Sequence, residues 1–228
     1  MLGKLYIVAT PIGNLQDITL RALAILREVD IIVCEDTRVT SKLLSHFDIK
    51  KKLKSVHQHS KDKKMLEIVS DLKHGLNVAY VSDAGTPGVN DPGNALVSLV
   101  EKNNITVVPI PGVSALTTII SISGFPMENF YYLGFVPHKK GRLTFFDKLA
   151  KRDEAIVFFE STHRILKALN SLIDVLDENR QVCIGRELTK LHETVYRGNI
   201  QEVKKQIEED SIKGEFVIVI APKKFKIN

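Results

Sequence analysis

Val81-Ser82-Asp83-Ala84-Gly85-Thr86-Pro87-Gly88-Val89-Asn90-Asp91-Pro92-Gly93 is the stretch on which the reading of the fold turns. Asn77-Val78-Ala79-Tyr80 precedes it, a short apolar run that reads as a buried strand. Beyond it Ala95, Leu96, Leu99 and Val100 recur at helical spacing. The chain leaves a strand, makes a long turn containing three glycines and two prolines, and enters a helix. Open α/β proteins place ligands at turns on the carboxyl ends of their strands. Gly85 and Gly88 allow close backbone approach, Pro87 stiffens the turn, and Asp83 is a short acceptor beside it. The plainer alternative is a rigid strand-to-helix loop in which Asp91 caps the next helix.

The pattern repeats upstream. Leu5-Tyr6-Ile7-Val8-Ala9 is a continuous apolar strand, as expected of a strand buried on both faces. It runs into the turn Thr10-Pro11-Ile12-Gly13-Asn14-Leu15, after which Asp17 or Thr19 starts a helix with Leu20, Leu23, Ala24 and Leu26 on one face. Asp30-Ile31-Ile32-Val33-Cys34 is a second strand and ends in Glu35-Asp36-Thr37-Arg38. Strand, helix and strand make a right-handed βαβ unit, so the polar residues at 35–38 share an edge with the opening turn. A short helix is expected at 40–47, a strand at 53–56, an amphipathic helix at 65–74 and a strand at 105–110. That last strand ends in Pro111-Gly112-Val113-Ser114-Ala115, which opens a helix of small residues through Ser121.

The 228 residues are 44% hydrophobic and 26% charged, an ordinary globular composition. No apolar run reaches the roughly 18 residues of a membrane span, and no signal-peptide pattern is visible. Cys34 and Cys183 lie in apolar strand-like runs and read as reduced core residues of a cytoplasmic protein. A net charge of +5 favours anionic partners. His57-Gln58-His59 has no third ligand at zinc-site spacing, so a solvated loop is expected there and no metal.

Near Gly124-Phe125-Pro126 the strands come closer together. Strands are expected at 130–136, 155–160, 181–187, 193–197 and 215–221, and helices at 141–151, 163–176 and 200–210, with Ser161 or Thr162 capping the second of these. This divides the chain into an α/β domain over residues 1–122, mostly parallel, and an α/β domain over 123–228 with a mixed sheet.

Thr10-Pro11-Ile12-Gly13-Asn14-Leu15, Glu35-Asp36-Thr37-Arg38, Ser82-Asp83-Ala84-Gly85-Thr86-Pro87, Pro111-Gly112-Val113-Ser114-Ala115 and Glu160-Ser161-Thr162-His163-Arg164 together resemble the tetrapyrrole-methylase superfamily. More narrowly, they are similar to its ribosomal-RNA branch, the small-subunit cytidine 2′-O-methyltransferases. The resemblance runs in order from Leu5 to about Ala221. It implies a two-domain tetrapyrrole-methylase-like α/β fold with S-adenosylmethionine in the cleft between the domains, and a homodimer. It implies that the donor contacts Pro11, Val81, Asp83, Thr86, Ser114 and Ala115 within turns that include Ala84, Gly85 and Pro87, with Glu160 and Gly198 close by. Tetrapyrrole-acting members carry Gly-Gly-Asp-Pro where this chain has Val81-Ser82-Asp83-Ala84, which argues against a porphyrin-like substrate.

The residues themselves agree with such a donor. Adenosylmethionine needs close backbone groups and an acceptor for its ribose or amino group, which glycine-rich turns and Asp83 supply. The Gly-x-Gly-x-x-Gly fingerprint after the first strand is absent. For RNA, the candidate anion surface comprises Lys139, Lys140 and Arg142, with Arg186 and Lys190, and Phe135 as a base-stacking aromatic. Residues 50–54, also lysine-rich, read better as a solvated surface run. The candidate catalytic groups are Asp36 and Arg38, then Glu160 and His163, with ion pairs and helix caps as their structural alternative. The expected activity is adenosylmethionine-dependent 2′-O-methylation of a cytidine in 16S rRNA. The rivals are a methyltransferase of the same fold acting on an anionic small molecule such as a tetrapyrrole, and a non-catalytic RNA-binding assembly factor.

Overall fold

The structure is a computed structural model that describes residues 1–56 and 61–226, so the alternating histidines at 57–59 lie outside the described residues. The chain forms two compact units, Met1–Ser114 and Ala115–Asn228. The helix expected to close the first domain, before residue 122, instead opens the second unit.

In the first unit β1 (Leu5–Val8), α1 (Leu20–Glu28), β2 (Ile31–Cys34), α2 (Thr37–His46), β3 (Lys52–Ser55), α3 (Lys61–Lys73), β4 (Val78–Tyr80), α4 (Gly93–Glu101) and β5 (Val107–Ile110) alternate. The five strands pair in the order β3-β2-β4-β1-β5, all parallel. Side chains alternate across this sheet, as the strand period of two requires. Leu5, Ile31, Val33, Val78 and Tyr80 meet Met65, Ile68, Leu72, Leu96 and Val100 of α3 and α4. Val8, Ile32, Cys34, Ala79 and Val81 meet Ala22, Leu26 and Leu44 of α1 and α2. Both faces are covered, which is why these strands read as unbroken apolar runs.

Helix starts follow local chemistry. Thr19 rather than Asp17 caps α1, its side chain accepting from Ala22 N–H at 3.0 Å. Asp36 caps α2 and accepts from Arg38 N–H at 2.8 Å, so that helix begins three residues before the expected position 40. β3 is an edge strand carrying Lys52 and Lys54, the latter paired with Asp71.

The second unit begins with α5 (Ala115–Ser123) and continues through β6 (Phe130–Phe135), α6 (Arg142–Ala150), β7 (Ala155–Ser161), α7 (Ile165–Ile173), β8 (Gln181–Arg186), β9 (Thr194–Asn199), α8 (Ile200–Glu209) and β10 (Glu215–Ile220). Its sheet runs β6-β7-β10-β8-β9; β6 pairs with β7 in parallel and the remaining pairs are antiparallel. One face buries Ile156, Phe158, Ile184, Phe216 and Ile218 beneath Phe146, Leu169, Leu172, Val203 and Ile207 of the helices α6, α7 and α8. On the other face a Cβ at Gly185 would stand 2.9 Å from Ile119 of α5, so glycine there lets that helix lie against the sheet. The cap expected at Ser161 or Thr162 is not formed. Arg164 holds the N-cap position without a side-chain cap, because Thr162 is turned to Gly214 and Ser161 accepts from the Arg164 guanidinium.

Candidate functional site

Within the first sheet, β1 and β4 are neighbours whose connections leave in opposite directions, to β2 on one side and β5 on the other. Open α/β sheets bind ligands at such a switch, outside the carboxyl ends of the strands. Here the turns after β1 and β4 are joined: Thr10 and Gly85 exchange two backbone hydrogen bonds of 3.0 Å each. Thr10 Oγ1 donates to Ser82 O at 3.2 Å, and Thr86 Oγ1 donates to Val113 O at 2.9 Å, which ties in the turn after β5. The three glycine-bearing turns of the sequence therefore form one laced edge. Gly85 has φ 80°, and a Cβ there would stand 3.2 Å from Ile12 Cγ2. Pro11, Val81 and Pro87 are buried under this edge, whereas Asp83 and Ala84 are exposed on it.

Acidic groups gather beside the edge. Asp83 Oδ1 accepts from Asp36 N–H at 3.1 Å, and the Asp83 N–H points to Glu35 Oε1 at 3.4 Å. Burial, with Asp83 and Asp91 nearby, raises the Glu35 carboxyl above its ordinary value. Asp91 accepts from Gly88 N–H at 2.7 Å, from Gly93 N–H at 2.8 Å and from Tyr80 O–H at 3.3 Å. Burial and the Asp91 charge push the Tyr80 phenol far above its ordinary value. Asp91 thus closes the loop on itself at the start of α4, where Pro92 is the N-cap residue. Glu35 and Asp91 thus stand beside the edge; in the sequence Glu35 is legible only as part of the polar motif at 35–38 and Asp91 only as a cap for the next helix.

Asp36 and Arg38 form a fork-to-carboxylate pair. Arg38 Nε lies 3.0 and 3.1 Å from the two Asp36 oxygens and Nη2 lies 2.5 Å from Oδ2, while 87% of the Arg38 side chain is exposed. The Asp36 contact raises the Arg38 guanidinium above its ordinary value. Asp36 is therefore engaged twice, as helix cap and as the partner that aims Arg38.

In the second unit Glu160 lies near the end of β7 and is 1% exposed. Its Oε1 accepts from Ser161 N–H and Arg164 Nη2, both at 2.8 Å, and its Oε2 lies 3.8 Å from Arg142 Nη1. His163 is exposed in the turn that follows. Gly198 lies on β9, where a Cβ would meet Glu202 Oε2 at 2.5 Å.

The expected anion surface separates into exposed and buried parts. Lys139 and Lys140 are exposed, and Phe135 is 50% exposed with its ring edge-on to Phe159. Arg142 and Arg186 are each only 7% exposed, buried groups rather than the open surface cations expected of them. Arg186 donates to Tyr196 Oη at 3.1 Å, Lys213 O at 3.2 Å and Asp210 Oδ2 at 3.2 Å. Lys190 is held between Glu187 and Glu215 at 2.8 and 3.0 Å. The sequence marks these residues as basic, but their acceptors come from other strands and turns. Among the described residues no group of three or more His, Cys, Asp and Glu side chains is placed to hold a metal ion, and no helix is long and apolar enough to cross a membrane.

The family model for Tetrapyrrole (Corrin/Porphyrin) Methylases matches residues 4–204. A Thermotoga maritima protein named Ribosomal RNA small subunit methyltransferase I is 45% identical over 222 residues, which is 97% of this chain and 100% of that protein. The protein of the same name from Halalkalibacterium halodurans is 45% identical over 219 residues, 96% of this chain and 75% of its own length. Among solved structures, a diphthine synthase superposes with a TM-score of 0.76 at 16% identity, covering 98% of this chain and 92% of that one. A Thermus thermophilus uroporphyrin-III-C-methyltransferase gives a TM-score of 0.68 at 17% identity, covering 96% and 94%. At those identities the structures speak for the fold, and the parallel sheet followed by a mixed sheet is the architecture they share. The chain belongs to the tetrapyrrole methylase family and, within it, to the branch of the small-subunit ribosomal RNA methyltransferases I.

Proposed function

We propose that this protein transfers the methyl group of S-adenosylmethionine to the ribose 2′-hydroxyl of a cytidine in 16S rRNA. The observation that carries the reading is the 45% identity, over nearly the whole chain, to proteins named for small-subunit ribosomal RNA methylation. The first unit's edge fits such a donor. Its turns bring backbone groups forward where Gly85, at φ 80°, would crowd Ile12 at 3.2 Å if it carried a Cβ, and Asp83 stands exposed beside them as an acceptor. When bound, the donor supplies an activated methyl on a sulfonium. Pro11, Val81, Asp83, Ala84, Gly85, Thr86, Pro87 and Ser114 are the residues of this unit proposed to hold it, with Ala115, Glu160 and Gly198 expected from the second.

The chain's own contribution is then positioning. Holding oxygen, methyl carbon and sulfur in line is worth roughly 7–11 kcal/mol in well-oriented reactions. Arg38, exposed and aimed by Asp36, is proposed to hold the RNA backbone. Asp36 orients the hydroxyl through that pair, and His163 is the next candidate for the proton. Lys139, Lys140 and Phe135 are the proposed RNA surface.

Methyl transfer from radiolabelled adenosylmethionine to small-subunit particles tests the reading, with the labelled nucleotide located by ribose-methylation mapping. Label on a cytidine 2′-hydroxyl is expected. Label on a base or on a small molecule would replace the substrate, and no label under saturating donor would leave an RNA-binding protein.

A further inference from the structure

Arg142 stands apart from the other basic groups of the second unit. It opens α6 directly after Gly141, whose φ of 86° turns the chain sharply into the helix. Its side chain is buried, with Cζ 5.1 Å from the centroid of the Phe146 ring. Nη1 faces Glu160 Oε2 at 3.8 Å, an ionic contact too long for a hydrogen bond. Nε and Nη2 are buried and have no hydrogen-bond partner among the described residues.

Those two nitrogens form one edge of the guanidinium, the fork that meets a carboxylate or phosphate through two parallel N–H···O bonds. The same edge of Arg38 is engaged by Asp36 in this chain. Arg164, the neighbour of Arg142 across Glu160, is fully engaged: Nε with Ser161 Oγ at 3.2 Å, Nη1 with Val136 O at 2.9 Å and Nη2 with Glu160 at 2.8 Å. Only Arg142 of this trio keeps its fork unmatched. Leaving a buried donor unmatched is costly, and more so when it is charged. An acceptor with two oxygens removes that penalty, and Glu160 cannot supply it from the Nη1 end. Arg142 also lies at the positive end of α6, which no side chain caps, and just beyond exposed His138, Lys139 and Lys140.

We propose that the Nε/Nη2 fork of Arg142 is a built receptor for one oxyanion of the methyl-transfer reaction, either an RNA phosphodiester or the carboxylate of the donor. The proposal rests on the function proposed above. Glu160 and Phe146 are positioning residues that set the plane of the fork, and Arg164 holds Glu160.

The Arg142 Nε–H resonance of ¹⁵N-labelled protein, assigned through its backbone, reads the fork directly. Four probes are titrated: adenosylmethionine, its decarboxylated analogue, an RNA fragment bearing the methylated nucleotide, and inorganic phosphate. A shift with adenosylmethionine but not with the decarboxylated analogue assigns the carboxylate, and a shift with RNA alone assigns the phosphodiester. A shift with phosphate in a protein that labels no RNA keeps the fork and removes the proposed substrate. A resonance that none of the four moves overturns the proposal. Arg142→Lys keeps the charge and loses the fork, so it should weaken the assigned ligand roughly tenfold and leave the other ligand's affinity unchanged. Unchanged affinity for both in folded Arg142→Lys also overturns it; should that variant not fold, the wild-type resonance decides.

Discussion

At Glu160 one buried carboxylate faces two guanidiniums, and its loss strands both. Removing one partner of a buried ion pair costs about 3–5 kcal/mol. Glu160→Ala should therefore lower the unfolding free energy from urea titration by that amount, with Glu160→Gln milder because it keeps an acceptor. A change within about 0.5 kcal/mol, the usual range for surface positions, would contradict the buried network. Glu35 is the reverse case. Its carboxyl is raised by burial, so the folded chain binds this proton more tightly than the unfolded chain does. Ionising it thus costs stability, a cost absent below the ordinary value of 4.5 and complete above the raised one. Glu35→Gln should raise Tm at pH 8 by a few degrees at most and leave it unchanged at pH 4; a lowered Tm at pH 8 would reverse the sign. Gly85 limits what a mutation there can report. A valine at φ 80°, against Ile12, adds backbone strain of roughly 1–3 kcal/mol, so Gly85→Val reads the fold together with the donor site. Asp83→Asn, which keeps an acceptor for Asp36 N–H, reads the site alone.

The start of α2 carries two functions on one side chain. Asp36 caps the helix and aims Arg38. Asp36→Ala removes both and should lose ~1 kcal/mol of stability from the cap alone. Asp36→Ser keeps a capping oxygen and removes the partner of the guanidinium. Folded stability should then hold while single-turnover methyl transfer at saturating donor falls sharply, as it should in Arg38→Ala. Full rates in Asp36→Ser and Arg38→Ala would return the pair to a structural role. The contrast between two substitutions at one position separates the helix from the chemistry.

Over the whole molecule the charge is +5, and what matters for RNA is which cations remain exposed. Arg142, Arg186 and Lys190 are held by local partners or burial, whereas Lys139 and Lys140 stand in solvent. Every phosphate that a protein ceases to neutralise reduces the slope of log affinity against log salt by roughly 0.7–0.9. Neutralising Lys139 and Lys140 together should flatten that slope by about twice this amount, measured by filter binding across a salt series. Arg186→Gln should instead act through stability, since it breaks the hydrogen bonds to Tyr196 and Asp210. An unchanged slope in the double lysine variant would move the RNA surface elsewhere.

Elements and their chemical edges were legible in the chain alone, because they depend on near neighbours. Apolar runs of strand length, helical spacing at Leu96 and Val100, and the cap at Thr19 are all local signals. The clustering of turns at the carboxyl ends of parallel strands followed from right-handed βαβ crossovers. The insertion of β4 between β2 and β1, which sets the turn of Gly85 against that of Thr10, emerged only in three dimensions. So did the earlier start of α2 and the place of α5 in the second unit. Basic residues were the least legible. A sequence states the charge of Arg142, Arg186 and Lys190 but not their burial or acceptors, since Glu160, Asp210 and Glu215 lie 18, 24 and 25 positions away. Burial and pairing are non-local quantities, set by which distant segments the fold brings against each side chain.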